Sequence, residues 1–188
     1  MAHQAKHGLH VEIPHRAIER RPKLCILLGV VASEWSALEL DLTFLYGALL
    51  GKAMPHDREA GPPVHPVGFQ IFQTLVTHEP RLKLIEKLAK LLINDTDLLK
   101  ELENTVMPKL RQTWEKRNNL IHAHWGFNDE EYPEALIKIL GPGNFEVYEE
   151  SYFEETIKSI LSTAHIVHDF EKRVINYLRT TNFPSTDL

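Results

Sequence analysis

The sequence predicts an all-α fold, a bundle of long antiparallel helices decorated with one small β-hairpin near residues 135–148. Apolar residues recur at three-four spacing through several long stretches, and the interruptions fall at proline and glycine clusters. Only residues 135–148 abandon that spacing, for short apolar runs on either side of a glycine-rich turn. Helices of the lengths implied pack most readily as near-antiparallel neighbours.

Residues 1–21 hold His3, His7, His10 and His15 but no helical periodicity, and read as a flexible N-terminal arm. From Pro22, a good first-turn residue, an apolar stripe runs through Leu24, Val31, Trp35, Leu38, Leu42 and Leu49, a long helix stopping near Gly51. Pro55 to Pro66 is a proline-rich surface loop. Phe69, Phe72, Leu75 and Val76 mark a second helix, and Pro80 opens a third through Leu82, Ile85 and Leu92. Asn94, Asp95 and Thr96 supply a turn and an N-cap for a long helix running toward Gly126, which Pro108 should kink or split. Gly141-Pro142-Gly143-Asn144 is the hairpin turn. A last helix spans about Tyr152 to Leu178, so that residues 22–182 read as one helical domain and 183–188 as a short tail.

Composition excludes several classes. With 188 residues, 43% hydrophobic and 25% charged, the chain is neither disordered nor fibrous. A single cysteine, Cys25, excludes an internal disulfide framework, and its apolar neighbours suggest a buried, inert thiol. That single cysteine makes the cytoplasm the expected location, and the apolar run Leu24–Val31 is too short to span a membrane. Net charge is −5, so contact with nucleic acid would need a local basic patch.

The segment Trp114 to Gly126 carries the chemistry. At about 100° per residue, Asn118 and His122 lie one turn apart on one helix face, and the long stem of Arg117 can swing to the same place. Cleaving a phosphodiester without a metal requires a group that exchanges a proton near neutral pH and a fixed cation on the phosphate oxygens. His122 and Arg117 are the residue types that supply these, and Asn118 can orient the imidazole or a substrate oxygen. From Thr105 to Trp125, Lys109, Arg111, Lys116 and Arg117 stand against Glu115 alone, which makes a candidate RNA-binding stripe from Lys109, Arg111 and Lys116. The same charges also suit the solvated face of a helix near its C-terminus.

Arg-Asn-x3-His with a trailing Trp-Gly resembles the Arg-x4-6-His signature of the HEPN superfamily in its bacterial form. Arg–His pairs at three such spacings are expected about 1.6 times by chance in this composition, and requiring Asn directly after Arg lowers that to roughly 0.07. Arg58 and His65 meet the loose pattern too, but in the proline-rich loop. The resemblance implies a HEPN-like helical bundle and a metal-independent endoribonuclease, of the toxin or defence-effector kind, with no cofactor. It implies attack of a ribose 2′-hydroxyl on the adjacent phosphate, with Arg117, Asn118 and His122 as the catalytic set. It also implies a homodimer, RNA as substrate and a nucleotidyltransferase-type antitoxin as partner. The alternative is a non-catalytic HEPN-like dimeric module that binds RNA, a nucleotide or a protein.

Other candidates have plainer readings. His124, two residues from His122, points elsewhere on a helix and reads as structural. His165 and His168 could begin a metal site, but two ligands with no third beside them read as ordinary polar positions, so no metal is expected. Glu39 or Asp41 could add an acidic member to the site, or simply face solvent. Trp114 and Trp125 could stack bases, although their register with Leu110 and Ile121 favours packing.

Overall fold

The computed structural model describes residues 2–6, 8–14, 16–53, 66–75 and 77–181. The proline-rich loop through residue 65, with Arg58 and His65, lies outside these, as do His7, His15, Val76 and the tail. The elements run β1 (Ala2–Gln4), a 3-10 turn (Ala17–Arg20), α1 (Pro22–Ala53), α2 (Pro66–Thr74), α3 (His78–Leu92), α4 (Thr96–Glu101), a π-helical turn (Leu102–Val106), α5 (Met107–Ile121), β2 (Trp125–Asn128), β3 (Tyr132–Gly141), β4 (Asn144–Tyr148) and α6 (Glu150–Thr180). No described helix is long and apolar enough to cross a membrane.

The chain forms two compact units, Met1–Ser36 with Gln112–Ser162, and Ala37–Arg111 with Thr163–Leu188. The first overturns the all-α reading, because it holds a four-stranded antiparallel sheet in the order β1-β4-β3-β2. The hairpin read at 135–148 is only the centre of it. β3 begins three residues earlier, at Tyr132, and a positive φ of 68° at Gly143 closes the turn into β4. The N-terminal segment expected as a free arm pairs Ala2 with Tyr148 and Gln4 with Glu146, and Glu12 and Phe127 exchange backbone bonds of 3.0 and 3.1 Å. β2 occupies residues assigned by periodicity to the end of a helix, since Trp125 and Phe127 are both buried and Trp125 lies opposite Lys138 on β3.

Gly126 shows how closely the N-terminal segment lies against this sheet. A Cβ there would stand 2.5 Å from Val11 Cγ1 and 2.8 Å from the Glu12 carbonyl oxygen. Gly126→Ala is therefore expected to push residues 11–12 off β2 at a cost of about 1–3 kcal/mol, seen as faster amide exchange at Glu12 and Phe127.

The second unit is helical, with Leu42, Leu45, Phe72, Leu82, Ile85 and Phe170 in its core. Tyr46 stacks on Phe72 at 4.6 Å. Asp95 caps α4, accepting from the amides of Asp97 and Leu98 at 2.9 and 3.1 Å. Pro108 does not split the helical run from Thr96 to Ile121. The π-helical turn before it, in which Met107 N–H donates to Leu102 O, widens the helix where proline has no N–H to give and its ring needs room.

Candidate functional site

The site is built in the first unit, where α5 runs out towards β2. The His122 amide still bonds to Asn118 O at 3.2 Å, so the imidazole keeps helical register one residue beyond α5. Arg117 folds back over this turn. Its Nη1 donates to Asn118 Oδ1 at 2.9 Å and lies 3.1 Å from His122 Nε2. A guanidinium can only donate, so in this arrangement Nε2 is the acceptor and the ring proton sits on Nδ1. The guanidinium lies 5.8 Å from the ring centre of buried Trp35 on α1, whose face favours a cation and fixes its direction. Arg117 is partly buried and His122 is exposed, so a fixed cation stands beside an accessible imidazole.

Beside this trio lies a second group that the sequence reading passed over. Asn119 Oδ1 accepts from Lys138 Nζ at 3.0 Å. Lys138 lies 5.8 Å from the ring centre of Tyr148, whose hydroxyl donates to Glu146 at 2.9 Å. Burial, and next the bond to Glu146, push the Tyr148 phenol well above its usual range, and burial pushes Tyr152 up as well. Both hydroxyls therefore stay protonated at neutral pH. One signal was available: Lys138 is the only charged residue in the apolar run Ala135–Leu140.

The structure brings Arg117, Asn118 and His122 together, but not the expected RNA-binding stripe. Arg111 is engaged in the second unit, held by Glu79 at 3.1 and 3.2 Å and by Glu86 at 3.1 Å. The Arg111 hydrogen bond holds the Glu79 carboxyl below its usual range, so this guanidinium is already neutralised. Lys109 belongs to that same unit, while Lys116 is half-buried on the part of α5 that carries Arg117.

Trp125 packs as a core residue, 5.3 Å from Tyr148 and 6.2 Å from Phe153 between ring centres. His124 is exposed, and its carbonyl accepts from Ile139 to extend the β2–β3 pairing. Cys25 is exposed, not buried, because its position on α1 turns it away from the side lined by Leu24 and Val31. It lines a cavity of about 630 Å³ with Ile13, Arg16 and His124. A larger cavity of about 690 Å³ lies between Arg21, Glu134 and Glu150. Neither of these two cavities is lined by Arg117, Asn118 or His122, of which His122 is exposed and the other two are partly buried.

The two acidic candidates on α1 have partners within the second unit. Glu39 pairs with Arg81 at 3.1 Å, and Asp41 lies near His168 and Glu171 in the second unit. Burial raises both carboxyls, Glu171 further through the Asp41 charge, although His168, 3.8 Å from Glu171, and Lys172 pull Glu171 down. A carboxyl whose pKa is higher folded than unfolded binds more protons in the native state, so its contribution to stability falls as pH rises through the carboxylate range. Glu171→Gln removes that loss. The variant is expected to melt above wild type at pH 7, with the difference shrinking as pH falls through the raised folded pKa and gone below the unfolded carboxylate pKa.

Compared with family models, with curated proteins and with solved structures, the chain matches none of them.

Proposed function

We propose that the protein is a metal-independent endoribonuclease of the HEPN type, with Arg117, Asn118 and His122 as its catalytic set. The observation that carries this reading is the contact between Arg117 Nη1 and His122 Nε2 at 3.1 Å, beside Asn118 and with His122 exposed. An arriving phosphodiester competes for the guanidinium, whose planar fork suits two phosphate oxygens better than one imidazole. As Arg117 turns to the phosphate, His122 Nε2 is released to take the proton of the 2′-hydroxyl that attacks phosphorus. Arg117 then stabilises the charge building on the equatorial oxygens, and Asn118 keeps both groups oriented. The attack closes a 2′,3′-cyclic phosphate and expels the 5′-oxygen of the next nucleotide, which takes up a proton from water, while His122 releases the one it gained to solvent.

A second copy of the chain is the partner proposed for the protein. Ala37, Leu40 and Phe44 are exposed at three-four spacing on α1, an apolar stripe that suits helix-to-helix association. A non-catalytic module that binds RNA, a nucleotide or a protein is favoured by one observation: the site does not line either of the two cavities described above. Incubating the protein with mixed cellular RNA in excess chelator separates the readings. Cleavage with cyclic phosphate ends supports the nuclease, and binding without new ends identifies the module.

A further inference from the structure

We infer that Lys138 is a second phosphate-holding residue of the same site, one that engages the phosphate next to the scissile one and so selects a polynucleotide over a mononucleotide. This rests on the nuclease reading and extends it from the helix to the sheet. Asn118 and Asn119 are adjacent on α5, and each presents its side-chain oxygen to a cation: Arg117 at 2.9 Å and Lys138 at 3.0 Å. Asn119 is three residues before His122, on the neighbouring face of the same turn, so the amide that holds Lys138 stands next to the imidazole along the helix surface, on the other side from the Arg117 stem.

The surroundings of Lys138 fix its ammonium rather than quench it. Glu146 stands directly across from it in the β3–β4 register. Yet the Glu146 carboxylate takes the Tyr148 hydroxyl at 2.9 Å, and the ammonium reaches the neutral amide of Asn119 instead. Lys138 is held on two sides: its ammonium donates to Asn119 and lies over the Tyr148 ring, which Tyr152 meets edge to face at 4.8 Å. Such a setting removes much of the side-chain entropy that a free lysine loses on gripping an anion. Its neutral amide partner yields to a phosphate far more readily than a carboxylate would.

The test measures binding of a fluorescent single-stranded RNA oligonucleotide across a salt series, with His122→Ala throughout to prevent turnover. Lys138→Met keeps the stem over Tyr148 and removes the charge. It is expected to weaken RNA binding about tenfold and to lower the salt slope by about one. A 5′-mononucleotide, with one phosphate, is expected to bind equally well with either side chain. Asn119→Asp, which leaves the sheet untouched and neutralises the ammonium in place, should weaken RNA binding in the same direction, and Lys138→Arg should restore most of it. If Lys138→Met or Asn119→Asp folds and binds RNA with unchanged affinity and slope, Lys138 is only a strut between β3 and α5 and the inference is overturned. The nuclease reading then survives as long as the unmodified protein still cuts. If His122→Ala alone fails to bind RNA and the unmodified protein fails to cut it, both fall together.

Discussion

His122→Ala is expected to abolish RNA cleavage while leaving the melting temperature unchanged, a loss of about 10²- to 10⁴-fold in rate. The imidazole is exposed, and its described side-chain contact is the bond to Arg117, so truncating it removes no core packing. What it removes is the group in reach of a 2′-hydroxyl that can accept a proton near neutral pH. Arg117→Lys tests the other half of the pair. Lysine keeps the positive charge, but it lacks the planar pair of nitrogens that takes two phosphate oxygens in parallel, and the expected loss is about 10²- to 10³-fold. The cut ends of the wild-type reaction should carry 2′,3′-cyclic phosphate, and the rate should be the same in excess chelator. A chelator-sensitive rate, or full activity in His122→Ala, would remove this trio from the mechanism.

The site was legible in the sequence because its three residues lie within six positions of one helix, where spacing alone sets which side chains meet. Arg117, Asn118 and His122 needed no tertiary information. Trp35 and Lys138 did, since they reach Arg117 and Asn119 from α1 and β3 through folding that no local period encodes. The helices follow the same logic: α1, α3 and α6 start and stop near where their apolar stripes and prolines suggest, within a few residues. The sheet was half hidden. β1 is three residues of Ala-His-Gln, too short for an alternating pattern, and β2 is four residues continuing an apolar phase that a helix would share. The basic stripe misled for a different reason. Charge counted along a helix ignores carboxylates brought from elsewhere, and Glu79 and Glu86 cancel Arg111 from α3.

A second large effect is expected away from the chemistry, at Arg21, the buried residue that joins the start of α1 to the sheet. Its Nε donates to Ala135 O at 3.0 Å, and its Nη2 donates to Tyr132 O at 3.2 Å and to Asp129 Oδ1 at 2.8 Å. The guanidinium also lies 5.5 Å from the ring centre of buried Phe127 on β2. One side chain therefore ties the β2–β3 turn and both strands flanking it. Arg21→Met keeps most of the buried volume but deprives backbone carbonyls of their donor, at a cost of about 2–4 kcal/mol. For a chain of this size that lowers the melting temperature by on the order of 10 °C. The ion pair is the smaller part of this, because the Asp129 side chain is 60% exposed and water replaces its partner. Asp129→Ala should accordingly cost under about 1 kcal/mol. Thermal melts of the two variants decide between these contributions: equal losses would mean that the charge pair holds the turn, whereas a large loss at Arg21 and a small one at Asp129 assigns the work to the carbonyls. In the second case the loss should be concentrated in the sheet, with amide exchange rising first in β2 and β3 and the surface that presents Lys138 to α5 loosening before the helix itself.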